Sequence, residues 1–181
     1  MKTELKVMDK IKVKKIISKS QIQKRVKKLS EEISRDYTKK DLILVGILKG
    51  SFVFLADLTR NLKIPHQVDF ISVTSYGSST RASGIVRILK DLSVNIQNRD
   101  VLIVEDIVDS GLTLSYIIKN FETRQPRSLK VITLLNKKKK RGAFIPLKYI
   151  GFDIPDEFVV GYGLDLNERF RNLSFIAKIE E

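Results

Sequence analysis

The chain has 181 residues, with 34 Lys and Arg against 21 Asp and Glu, a formal net charge of +13. That length gives one compact domain a proper core and is short for two. The apolar fraction of 43% sets the chain apart from disordered sequences, and the absence of cysteine excludes disulfides and thiolate metal sites.

No apolar run approaches the roughly 20 residues of a membrane span, and the N-terminal MKTELKVMDKIKVKK has no apolar signal core. A cytoplasmic protein with no membrane partner is expected. Residues 1–40 hold 14 Lys and Arg against 5 Asp and Glu, so nine of the thirteen net positive charges lie there. Most of these lysines fall on the polar side of one strand and one helix. They predict a solvated face, and nucleic acid is not an expected partner.

In chain order, residues 11–17 alternate as a strand. Ser18 then opens a Ser-x-x-Gln capping box with Gln21. Ile22, Val26, Leu29, Ile33 and Tyr37 recur at helical steps, one buried stripe. LILVGIL, 42–48, is a continuous apolar run of strand length. Lys49 and Gly50 form a turn before a helix over 52–62. A strand over 68–75 leads into YGSSTRASG, 76–84, whose small residues predict a mobile loop, and 85–90 returns as a hairpin partner. Next come a buried strand over 101–104, a helix over 112–122 and a strand over 131–135. Short extended pieces follow over 149–154, 159–162 and 175–179. His66 is assigned a structural or surface place.

Uninterrupted Val, Ile and Leu strands alternating with helices predict a doubly wound α/β domain, its mainly parallel sheet covered by helices on both faces. Ligands of such sheets bind beyond the carboxyl ends of the strands. Lys49-Gly50, the segment 105–113 and Asn136-Lys137 all lie at such ends, so they predict a single site.

The segment VLIVEDIVDSGLT, 101–113, carries the chemistry. Asp109, Ser110, Gly111, Leu112 and Thr113 sit where a strand gives way to a helix. Unpaired backbone N–H groups there favour an anion, Gly111 allows close approach, and two hydroxyls add donors. This is a phosphate cradle without the Gly-Lys-Ser/Thr of a Walker loop. Glu105 and Asp106 suit vicinal hydroxyls or a metal bridging to them. Phosphate, diol and carboxylates together describe a ribose 5-phosphate.

The motif Glu105-Asp106, two apolar residues, Asp109-Ser110-Gly111-x-Thr113 resembles the signature of type I phosphoribosyltransferases. The likeness runs from about residue 10 to the C-terminus and is closest to the bacterial hypoxanthine and hypoxanthine-guanine enzymes. VGILKGSFVFLADL (45–58), VTSYGSSTRASG (73–84) and IPDEFVVGYGLDLNERFRNL (154–173) also resemble that family. The resemblance implies one domain over 1–181, a mobile active-site loop over 75–88, and a base-binding hood from 1–18 and 137–181.

It also implies purine salvage: a 6-oxopurine, hypoxanthine and guanine, reacts with 5-phosphoribosyl 1-pyrophosphate and Mg2+ to give the nucleotide and pyrophosphate. Carried over residue by residue, Asp109 to Thr113 hold the 5-phosphate, and Asp109 is the catalytic acid or base beside purine N7. Glu105 and Asp106 face the ribose hydroxyls, partly through the metal, of which Asp165 is a direct ligand. Lys49, Gly50, Ser75, Tyr76 and Arg171 bind pyrophosphate, with a cis peptide between Leu48 and Lys49. Lys137 donates to the 6-oxo group, Phe158 stacks on the base, and Val159 reads its edge through the backbone. Without the family, DLNERFR, 165–171, reads as the start of a surface helix. Lys138 to Arg141 read as a solvated tip.

A homodimer or homotetramer is expected. The alternatives are a guanine- or xanthine-preferring enzyme and an RNA-binding regulator on the same fold.

Overall fold

The computed structural model describes residues 11–76, 85–138, 143 and 145–180. Nine strands and three helices occur among them: β1 (Lys12–Ile17), α1 (Lys19–Asp36), β2 (Leu42–Leu48), α2 (Phe52–Asn61), β3 (His66–Tyr76), β4 (Ile85–Lys90), β5 (Asp100–Val108), α3 (Leu112–Glu122), β6 (Ser128–Lys137), β7 (Leu147–Ile154), β8 (Val159–Val160) and β9 (Ile176–Glu180). The main sheet has the order β4-β3-β2-β5-β6-β7. All its pairs are parallel except β3 with β4, the expected hairpin. A second sheet, β1-β9-β8, is antiparallel.

The sheet explains why β2 reads as unbroken apolar sequence. Leu42 and Leu44 pack with Val26, Leu29 and Ile33 of α1 and Phe54, Leu55 and Leu58 of α2. Ile43, Val45 and Ile47 face the other way, toward Leu114, Ile117 and Phe121 of α3. Alternation survives in direction, but both directions are dry. The capping box at Ser18 and Gln21 is present, and the predicted stripe of α1 is buried from Ile22 to Tyr37. Lys12, Lys14, Lys19, Lys24, Lys27 and Lys28 are exposed, as a solvated basic face requires.

From β2 the chain moves through α2 to β3 on one side; from β5 it moves through α3 to β6 on the other. Neighbouring β2 and β5 therefore mark the reversal of strand order where doubly wound sheets bind ligands. Two predicted boundaries need correction. β5 continues to Val108, so Glu105 and Asp106 lie within the strand, because pairing with β6 continues through Glu105–Thr133 and Ile107–Leu135. β6 likewise continues to Lys137, opposite Ile154. Backbone ladders carry on past the point where side chains turn polar.

His66 opens β3, its ring bonded to Thr59 and to the Ile64 carbonyl. Among the described residues, no helix is long and apolar enough to cross a membrane. Residues 1–10, 77–84, 139–142, 144 and 181 lie outside the description. They include most of the predicted mobile loop, part of the hood and most of the basic run after Lys137.

Candidate active site

The carboxyl ends of β2, β5 and β6 form one edge, and the predicted loops gather there. Gly111 caps α3 with a left-handed φ of 78°, and no side chain caps the helix start. The first N–H groups of α3 are therefore open to an anion, with only a 3.5 Å approach of Leu112 N to Ser110 Oγ. Glu105, Asp109, Ser110, Gly111 and Thr113 line a cavity of about 110 Å³ above this turn. A Cβ on Gly111 would lie 2.9 Å from Ile145, so the turn needs glycine for both space and conformation.

The two acids at the end of β5 are half-buried. Glu105 Oε2 is buried without a hydrogen-bond partner. Burial, aided by the charge of Asp106, pushes the Glu105 carboxyl well above the ordinary range. Burial also pushes Asp106 up to about 6, against the opposing N–H of Ile107. Gly50 closes over Asp106 so tightly that a Cβ there would fall 1.7 Å from Asp106 Oδ2. Gly163, with φ 103°, is packed in turn against the Gly50 carbonyl, 2.1 Å from where its own Cβ would be. The Leu48–Lys49 peptide just before Gly50 is cis, as the resemblance implies.

Arg171 and Lys49 flank this stack. Arg171 Nη1 donates to the Gly163 carbonyl at 2.7 Å, and Nη2 meets Asp165 Oδ1 at 2.8 Å and Glu168 Oε2 at 3.1 Å. Lys49 Nζ donates to Glu168 Oε1 at 3.0 Å. These two bonds, that from Lys49 first, hold the Glu168 carboxyl below its ordinary range. DLNERFR is not a helix start: Leu166 and Arg169 exchange backbone bonds in a tight turn, and Asn167, Glu168 and Phe170 take left-handed φ angles. Three such residues are incompatible with a helix.

On the far side, Lys137 Nζ lies between Asp109 Oδ2 at 3.0 Å and Asp156 Oδ1 at 2.9 Å. Burial alone would depress this amine, but the bonds to Asp156 and Asp109 outweigh it and raise its pKa. Phe158, two residues past Asp156, is an exposed ring with 57% of its surface open. Val159 is buried in β8, its backbone paired to β9. Ser75 and Tyr76 end β3 beside Val86 and Ile85, with side chains outside the description.

Sequence reasoning missed two residues here, Asp156 and Glu168. Asp156 lies 19 positions from Lys137 and Glu168 lies 119 from Lys49, separations that no local pattern marks; the i,i+3 spacing of Glu168 and Arg171 is the local signal the sequence does carry.

Among the described residues, no three acidic or imidazole side chains converge as a ready metal cage. Glu105, Asp106 and Asp165 nevertheless suit Mg2+. They offer hard oxygen donors, the unpartnered Glu105 Oε2 among them, and Mg2+ usually takes one or two carboxylates with substrate phosphates and water.

The family model of the phosphoribosyl transferase domain matches residues 12–167. A hypoxanthine-guanine phosphoribosyltransferase of Mycobacterium avium is 53% identical over 171 residues, covering 91% of this chain and 84% of that one. One from Bacillus subtilis is 47% identical, covering 91% and 92%. A solved hypoxanthine-guanine phosphoribosyltransferase of Bacillus anthracis superposes with a TM-score of 0.88 at 45% identity, covering 94% of this chain and 99% of that one.

Proposed function

The chain belongs to the phosphoribosyltransferase family, among its hypoxanthine-guanine members, and from that premise we propose a purine-salvage enzyme. It transfers the 5-phosphoribosyl group of 5-phosphoribosyl 1-pyrophosphate to N9 of hypoxanthine and guanine. The bond from ribose C1 to pyrophosphate oxygen breaks, the bond from C1 to N9 forms, and the purine loses a proton. The products are IMP or GMP and pyrophosphate.

The observation that carries this reading is the position of Asp109. Its carboxylate meets Lys137, the candidate reader of the 6-oxo group, at 3.0 Å, and its own loop is the cradle at the start of α3. One residue thus joins a base subsite to a phosphate subsite. Lys137 donates to a 6-oxo group; a 6-amino group would set donor against donor. Phe158 stacks on the ring, and the backbone of Val159 reads its edge. Asp109 takes or holds the proton at N7.

Residues 110–113 bind the 5-phosphate through backbone N–H groups and hydroxyls. Glu105 and Asp106 orient the ribose hydroxyls and stabilise positive charge developing at C1. Lys49, Gly50, Ser75, Tyr76 and Arg171 hold pyrophosphate, Arg171 with a planar donor pair suited to phosphate oxygens. Asp165, with Glu105 and Asp106, would hold Mg2+, which would supply charge neutralisation to the leaving pyrophosphate. The loop 75–88 excludes water from the reacting carbon, and segments 1–18 and 137–181 cover the base. A cytoplasmic homodimer or homotetramer completes the proposal.

Turnover measured with hypoxanthine, guanine, xanthine and adenine, each with and without Mg2+, tests it. Activity with the first two, dependent on the metal and absent with adenine, is expected. Adenine as the preferred base would refute the role of Lys137.

A further inference from the structure

The role of Lys49 and Arg171 leaves one contact unexplained. Both cations hold the same carboxylate. Glu168 Oε1 lies 3.0 Å from Lys49 Nζ, and Oε2 lies 3.1 Å from Arg171 Nη2. The two cations come from opposite ends of the chain, one after β2 and one before β9. Glu168 spans them as a bidentate anion, one oxygen to each.

The backbone is bent to allow this. Glu168 has φ 63°, its neighbour Asn167 has 51°, and Phe170 has 71°. The left-handed region is unfavourable for a residue with a Cβ, and glutamate is not among the residues that visit it readily. The turn is fixed by a bond from Glu168 N to Asp165 Oδ2 at 2.8 Å, so it is anchored independently of the Glu168 side chain. The carboxylate itself is exposed at 63%. A strained turn that delivers an exposed carboxylate to two cations serves something other than the core.

We propose that Glu168 is a built-in anion that takes the pyrophosphate seat when the site is empty and is displaced whenever pyrophosphate, free or esterified to ribose, binds. This rests on the assignment of Lys49 and Arg171 to pyrophosphate. Binding then exchanges one set of charge-assisted bonds for another, so the net affinity is lower than the two cations alone would give. The cations stay aimed at the seat between turnovers. On the way out, the returning carboxylate competes with product pyrophosphate and hastens its release.

Exposed ion pairs contribute little individually, so the effect is modest: roughly a threefold to tenfold change in affinity for two of them. Its sign is what decides. Removing a merely structural carboxylate loosens the turn and weakens pyrophosphate binding. Removing a competing anion strengthens it.

The test is calorimetric titration of magnesium pyrophosphate into the wild-type protein and Glu168→Gln, which keeps the backbone bond to Asp165. The variant is expected to bind pyrophosphate roughly threefold to tenfold more tightly, to show a lower KM for 5-phosphoribosyl 1-pyrophosphate, and to be more strongly inhibited by pyrophosphate. Unchanged or weaker binding would overturn the proposal. In a Lys49→Ala background the gain should shrink; its full persistence would show that the carboxylate does not compete for that cation, and would also overturn it. If the wild-type protein neither binds magnesium pyrophosphate nor turns over hypoxanthine, the assignment of the site falls, and the inference with it. If it does both and Glu168→Gln fails to tighten, only the inference falls.

Discussion

Asp106→Asn should make the ligand-free protein more stable at neutral pH. Asp106 lies beneath Gly50, and burial lifts its pKa from an ordinary 3.8 to about 6. A carboxyl whose folded pKa is raised costs stability once it ionises. Below the unfolded pKa both states are protonated and there is no penalty. Between 3.8 and about 6 the folded state keeps a proton that the unfolded state has released, so stability falls as pH rises. Above about 6 the folded state carries the buried charge and the full penalty applies. A shift of this size corresponds to about 3 kcal/mol at pH 7.5 and about 1.5 kcal/mol at pH 5. Asparagine has the same shape and keeps the acceptor for Ile107 N. Urea unfolding of both proteins at pH 5 and 7.5 measures the difference, provided the slopes agree. The variant's advantage should grow by about 1.5 kcal/mol between the two pH values. An advantage that stays flat, or a variant less stable than the parent at pH 7.5, would refute the reasoning.

Asp109→Asn should lower kcat by about 10²–10⁴ while the KM for 5-phosphoribosyl 1-pyrophosphate stays within a few fold, as steady-state kinetics will show. Lys137→Met should raise the KM for 6-oxopurines by about 10- to 150-fold, the equivalent of a charged hydrogen bond worth about 1.5–3 kcal/mol. Lys138→Met, which breaks only an exposed pair with Asp153 at 3.4 Å, should leave that KM nearly unchanged, and a larger effect than at Lys137 would show the assignment to be off by one. Gly50→Ala puts a carbon 1.7 Å from Asp106 Oδ2 and should abolish turnover; a fully active variant would mean that the Gly50 turn does not shape the site.

Most of the architecture was legible because it rests on local pattern. The stripe from Ile22 to Tyr37 gave α1 its buried face and Ser18 its start. LILVGIL could only be a strand covered on both sides, and it is. The end of β2 at Leu48 was read correctly, whereas β5 and β6 run past their expected ends to Val108 and Lys137. Glu105 and Asp106 read as loop because they are charged, yet the β5–β6 ladder runs through them. DLNERFR, taken without the family, read as the start of a surface helix, yet the chain makes a tight turn bridged at Leu166 and Arg169. In both places backbone pairing has overruled the local side-chain signal, and both lie among the residues proposed for the site.

The same contrast accounts for the site's electrostatics. A protein with a net charge of +13 that handles a pyrophosphate ester has no shortage of cations. Its difficulty is to keep the right ones in place without holding the product too tightly. Lys137 is pinned by Asp109 and Asp156; Arg171 is pinned by Asp165 and Glu168; Lys49 is pinned by Glu168. On the proposed assignment of these cations to substrate, each carboxylate lowers the entropy a flexible cation would lose on binding, and each would yield some of its contact to the substrate. Preorganisation and restraint of affinity are then one device. On that assignment charge partners would be exchanged rather than newly made in each turnover, which would suit the release of pyrophosphate as well as the binding of its ester.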